Sequence, residues 1–162
     1  MISTDDYCWF VDRTLDQIVS VLEVLGDDLA SEGPELTGAN SPYGIVTHCV
    51  GVMATWGGHF VAGREVVRDR ATEFQTTGHV SDLVTKIEAA RIALRSDVAS
   101  AQTSAPPRNS PAPADAALPL GRTQGGALIH LYEELVQHLG QLEITRDLLL
   151  ASNSTRASRL GE

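Results

Sequence analysis

The sequence predicts an all-α protein built as a four-helix bundle, and three observations carry that prediction. Apolar residues recur at spacings of three and four in four separate segments, the stripe of an amphipathic helix. No segment alternates with the period of two that a half-buried strand requires. Hydrophobic residues make up 43% of the 162 positions and charged residues 20%, enough apolar surface for one sizeable core.

The first segment runs from about Thr4 to Leu29, with Tyr7, Val11, Leu15, Ile18, Leu22, Leu25 and Leu29 on one face. Thr4 is its expected N-cap, followed by Asp5 and Asp6 where the helix dipole favours acids. "SEGPELTGAN" then interrupts the pattern with Gly and Pro. In the second segment, which opens at "NSPYG", Ser41 caps and Pro42 takes the first helical position. Ile45, Cys49, Val52 and Trp56 continue its apolar face. Gly51, Gly57 and Gly58 weaken this helix by roughly 1 kcal/mol each against Ala, which predicts close approach of another helix or a ligand, or else a kink near Gly57. "REVVRDRATEFQTTGHV" reads as a short helix plus loop. The third segment spans about Val80 to Ala101, with Leu83, Val84, Ile87, Leu94 and Val98 on one face. "SAPPRNSPAPADAALPLG" is Pro- and Ala-rich and is expected as an extended connection before the last helix. That helix covers about Gln124 to Ala151, and residues 152–162 read as a flexible tail of a single domain spanning 1–162.

With 21 acidic and 12 basic side chains the net charge is -9, which argues against a general nucleic-acid binder and against charge-driven binding to an anionic membrane. No apolar run is long enough to span a bilayer, and acids stand near the N-terminus where a secretory signal carries bases. Cys8 and Cys49 form no CxxC pair and read as reduced thiols of a cytoplasmic protein. Abundant Ala, Gly, Arg and Asp with few Lys suggest a high-GC bacterial source.

"IHLYEELVQHLGQLEITRDLLL" places His130, Glu134 and His138 four residues apart in turn, on one helical face. Four residues span about 6 Å of helix axis, so His130 with Glu134, or Glu134 with His138, can converge on one ion; the two histidines, about 12 Å apart, cannot readily share it. Geometry leaves both pairs open. A third ligand must come from another helix, and His48, His59 and His79 are the candidates. His48 and His59 face one way but lie about 16 Å apart, so only one can join a given centre. A histidine on a helix is more often hydrogen-bonded or exposed than metal-bound, so spacing alone does not establish a site.

Two stretches carry a resemblance. "SPYGIVTHCVGVMATW" resembles the second helix of the DinB-like superfamily, and "YEELVQHLGQLEITRDLL" resembles that superfamily's last bundle helix. The branch it is similar to is the mycothiol-dependent one, with the N-terminal domain of mycothiol-dependent maleylpyruvate isomerase and small mycothiol transferases. The resemblance implies that the metal ligands are His48, Glu134 and His138, and so chooses between the two pairs. It leaves His130 as a neighbour that either hydrogen-bonds behind the site or faces solvent, the second being preferred, and His59 and His79 as non-ligands. Cys49 is rotated by about 100° from His48 and is expected in the core, as is Trp56. Gln141 and Arg146 match the pattern without an assigned role. The chain ends soon after the fourth helix, without the isomerase's extra C-terminal domain, which puts the isomerase reaction in doubt.

Two imidazoles and a carboxylate suit a catalytic zinc, and nickel or iron fit the same donors. The expected activity is that of a metal-dependent thiol S-transferase: mycothiol, or a related low-molecular-weight thiol, is the co-substrate and a small electrophile the acceptor. No catalytic residue beyond the ligands is expected. The alternatives are a metal-dependent hydrolase acting through bound water and a non-catalytic metal- or thiol-binding bundle. Arg64 and Arg68 are read as solvated surface, the alternative being a place at the pocket mouth that would offset the negative charge. No nucleic-acid or membrane partner is expected, and a homodimer is left open.

Overall fold

The computed structural model describes residues 3–160, which form an all-α bundle with no strand among them. In chain order the elements are α1 (Thr4–Ser31), α2 (Pro42–Val52), a π-helical segment (Met53–Val61) that continues α2, α3 (Arg70–Glu73), α4 (Val80–Ala99), α5 (Pro113–Ala116), α6 (Pro119–Arg122) and α7 (Gln124–Leu160). α1 packs against α4 and α7, and α2 with its π-helical continuation packs against the same two. The four long rods therefore enclose one core. Leu15, Ile18 and Leu22 of α1 meet Ile45 and Met53, Leu83 and Ile87 of α4, and Leu131, Leu135 and Leu142 of α7 there, all fully buried. Each such side chain contributes about 1.5–3 kcal/mol of hydrophobic stabilisation.

Local chemistry explains the boundaries. Ser3, not Thr4, caps α1: its Oγ accepts the Asp6 N–H at 3.0 Å. Near the other end Gly26 takes φ 64°, a left-handed conformation that only glycine adopts cheaply, and the helix kinks there. The kink leaves Asp27 to accept the Val80 N–H at 2.7 Å, so one helix caps the start of another. Ser41 caps α2 as the sequence predicts, accepting the Gly44 N–H at 3.1 Å with Pro42 in the first turn.

Three sequence expectations change. The chain does not break at Gly57 but widens: the Ala62 N–H bonds to Gly57 O at 3.0 Å, an i→i+5 bond. Small side chains here do admit another helix, since a Cβ on Gly57 would lie 2.4 Å from Leu94 Cδ1 of α4. The Pro/Ala-rich connection is not simply extended but carries α5 and α6, and the buried Gln124 pins it. Its Oε1 accepts the Gln102 N–H at 2.8 Å and its Nε2 donates to Pro106 O at 3.0 Å. Finally, α7 continues past Ala151, so the expected tail is helical as far as Leu160; residues 161 and 162 lie outside the described part. Among the described residues no helix is long and apolar enough to cross a membrane.

Candidate metal centre

His48 sits at the middle of α2 and only 2% of it is exposed. A neutral imidazole carries one N–H, and burial favours that neutral form: desolvation holds the His48 pKa below the ordinary imidazole value although Glu73 and Glu134 push the other way. Its Nε2 lies 3.3 Å from Glu134 Oε2, and the same carboxylate oxygen lies 3.7 Å from His138 Nε2. One ligand atom from each of His48, Glu134 and His138 falls within 4.8 Å of the other two. Bonds of about 2.0–2.2 Å to one ion would put the donors roughly 3.0–3.5 Å apart, so this set closes on a divalent ion with small side-chain shifts. The residues fit the group. Glu134 and His138 are 25% and 21% exposed, so the cluster is walled by α2 and open on the α7 side.

Both rings are oriented from behind. His48 Nδ1–H donates to Glu73 Oε2 at 2.9 Å, and His138 Nδ1–H donates to Gln141 Oε1 at 3.0 Å. Each proton on Nδ1 leaves the Nε2 lone pair toward the cluster. Arg68 grips Glu73 with two bonds, Nε–H to Oε1 at 2.5 Å and Nη2–H to Oε2 at 2.9 Å, and donates through Nη1 to Thr55 Oγ1 at 3.3 Å. Burial alone would raise the Glu73 carboxyl, but the Arg68 guanidinium and His48 outweigh it and hold the carboxyl below the usual range. Phe74, the next residue, stacks on the His48 ring with centroids 4.9 Å apart.

The expected residues sort cleanly. His48, Glu134 and His138 come together; His59 and His79 do not join them. His59 donates to Arg64 O, and His79 pairs with Asp27. His130 is half-buried: its ring packs edge-on against Trp56 at 4.5 Å, its Nδ1 lies 3.3 Å from the exposed Glu133, and its Nε2 is 3.9 Å from Glu134 Oε1. Trp56 is a buried wall of the same region. The wider winding of the π segment explains its placement, because eight residues of regular α-helix would set it about 80° off the line of His48. Cys49 is a core residue whose thiol burial pushes up to about 12, with Glu134 and Glu73 adding to the effect, so it stays protonated at neutral pH. Arg146 turns to Asp147 on the surface.

The two arginines differ from each other. Arg68 is 18% exposed and belongs to the support of His48, and Arg64 forms a two-bond pair with the buried Asp97 at 2.9 and 2.7 Å. Arg68 is thus not solvated surface, whereas Arg64 stays on the surface, 44% exposed, with its guanidinium on a buried carboxylate. Glu73 and Phe74 were invisible to periodicity, since they follow the second segment in a short charged stretch. The signal that marks them is glycine. A Cβ on Gly51 would meet Glu73 Oε1 at 2.3 Å, and one on Gly44 would meet the Phe74 backbone at 3.0 Å.

A family model described as mycothiol-S-transferase matches residues 8–151. No curated protein and no solved structure matches the chain.

Proposed function

The chain belongs to the mycothiol-S-transferase family, of the DinB-like mycothiol-related group, and from that premise we propose that it is a metal-dependent transferase that joins the sulfur of mycothiol, or a related low-molecular-weight thiol, to a small electrophile. The observation that carries the reading is the convergence of His48, Glu134 and His138 donor atoms within 4.8 Å at the open side of the bundle. When bound, a divalent ion on this donor set, zinc by preference with nickel and iron also accommodated, supplies the Lewis acidity that lowers a thiol pKa and so favours the thiolate nucleophile.

The chain's own residues do the rest. His48 and His138 present Nε2 to the cluster because Glu73 and Gln141 hold their Nδ1 protons. Glu134 offers an oxygen to both imidazoles and carries the negative charge that offsets a cation there. Phe74 stacks on His48, and Trp56 packs on the neighbouring His130. No protein thiol takes part: Cys49 is buried and protonated, and burial also pushes the Cys8 thiol up.

Metal content of tag-free protein, measured beside His138→Ala, tests the site. One divalent ion per chain is expected in the parent and a fraction of that in the variant. Conjugation of monochlorobimane is then followed with and without mycothiol. Thiol-dependent turnover in the metal-loaded parent, lost in His138→Ala, is the expected result. A parent that neither holds nor takes up metal would sink the reading, and turnover of ester or amide substrates without thiol would replace it with hydrolysis.

A further inference from the structure

The Glu73–Arg68 pair lies outside the donor cluster, and the family reading gives it no task. Its geometry is specific. Glu73 comes from a four-residue helix 25 positions after His48, is 7% exposed, and aims one carboxylate oxygen at His48 Nδ1 from 2.9 Å. Arg68 takes both oxygens of the same carboxylate, so the acceptor cannot rotate away. Arg68 is itself tied to Thr55, and Gly51, three residues after His48, supplies the gap that the pair fills. Phe74 stacks on a face of the ring.

We propose that Glu73, clamped by Arg68, is a positioning residue that fixes the ring orientation of His48 and its Nδ1–H tautomer, and thereby presents the Nε2 lone pair to the ion. The proposal rests on the reading of His48 as a ligand, but its first consequence holds in the metal-free chain. A neutral imidazole has one proton to give. Arg68 Nη2, a donor, also lies 3.2 Å from Nδ1, but it gives its shorter bond of 2.9 Å to Glu73 Oε2; the nearer and doubly anchored Glu73 therefore claims the proton at Nδ1, against Glu134 at 3.3 Å on the Nε2 side. A partner of this kind behind a ligand histidine typically changes metal affinity by roughly 10- to 100-fold.

The test compares the full chain with Glu73→Gln and Arg68→Met by two readouts. Nitrogen-15 imidazole spectra of the metal-free proteins report the His48 tautomer; titration with cobalt(II) against a chelator reports affinity and the ligand-field spectrum. The parent is expected to show the Nδ1–H form. Glu73→Gln should populate the other tautomer, bind cobalt roughly 10- to 100-fold more weakly and shift its absorption bands. Arg68→Met, which keeps the carboxylate but frees it, should show a smaller change in the same direction, and it decides the matter should Glu73→Gln fail to fold. A role confined to holding the loop would move the melting temperature of either variant and leave tautomer and spectrum alone; that outcome overturns the proposal. A parent that takes up no cobalt would sink the transferase reading, while the tautomer comparison still decides whether Glu73 positions His48.

Discussion

Gly51 decides more than any other single small residue in the chain. A Cβ there would stand 2.3 Å from Glu73 Oε1 and 2.7 Å from Arg68 Nε, both locked in an ion pair that cannot move without releasing His48. Gly140, also within a helix, has nothing within 4 Å of its would-be Cβ. The same substitution should therefore act with opposite signs. Gly140→Ala should stabilise by roughly 0.5–1 kcal/mol, the ordinary helix-propensity gain. At Gly51 that gain of about 1 kcal/mol is outweighed by overpacking, which costs roughly 1–3 kcal/mol, so Gly51→Ala should be net destabilising and should weaken metal binding as well. Urea unfolding of both variants, with cobalt titration of the second, checks this; two variants that shift alike would remove Gly51 from the account. Cys49 makes a simpler case. Its protonated, buried thiol predicts that Cys49→Ala keeps thiol-dependent turnover, and loss of turnover in a folded, metal-loaded Cys49→Ala protein would bring back a protein nucleophile.

The π-helical segment is the element that joins site to scaffold. It sets Trp56 against His130 on one side and lets α4 press on Gly57 on the other. Its end is closed by the chain that follows: Arg108 N–H bonds to Phe60 O at 2.8 Å, and the Asn109 side-chain amide donates to His59 O at 2.9 Å. Arg64 straps the segment to α4 through Asp97, crossing Gly58 where a Cβ would meet Arg64 Nη2 at 2.4 Å. Asp97 is only 4% exposed, so Arg64→Ala should leave a buried carboxylate without its partner at a cost of roughly 1–3 kcal/mol, and Asp97→Asn in the same chain should recover part of it. A double variant no more stable than Arg64→Ala alone would contradict this. Very little of the element was legible in advance. The apolar stripes of α1, α2, α4 and α7 follow from a 3.6-residue period, and the start of α2 from Ser41 and Pro42. An i→i+5 winding has no comparable period, and its glycines announce only that something comes close. The candidate ligands were legible only in part: spacing at i and i+4 offered two pairs on one helix face, and the family resemblance chose Glu134 with His138 and added His48. Glu73 was not, because nothing within its own stretch distinguishes a supporting carboxylate from the many acids of a chain with net charge -9.

At the scale of the molecule, the candidate ligands bridge separate rods: His48 stands on α2, and Glu134 and His138 stand on α7. An ion held by all three binds the folded bundle in preference to the unfolded chain, so binding adds to folding stability. At a free metal concentration of 100 times the dissociation constant the gain is about 2.7 kcal/mol. For a chain of this size that corresponds to a rise in Tm of about 5–10 °C. The gain should vanish with chelator and be absent in His138→Ala. Its pH dependence follows from the sign of the His48 shift. Because burial lowers the folded-state pKa, the unfolded chain takes up a proton on this ring before the folded one does as pH falls. The stability that a neutral His48 confers is thus fully present above the ordinary imidazole pKa of about 6.5 and is lost as pH drops through that value toward the lower folded-state one. Glu73, also held low, acts in the same direction further into the acid range. Metal competes with the proton only in the folded chain, so the metal-induced rise in Tm should hold through that interval and shrink only as pH approaches the lower folded-state value. Differential scanning calorimetry from pH 8 down to pH 5, with zinc and with chelator, measures both effects. A metal increment as large in His48→Ala as in the parent would mean that His48 is not among the groups that hold the ion.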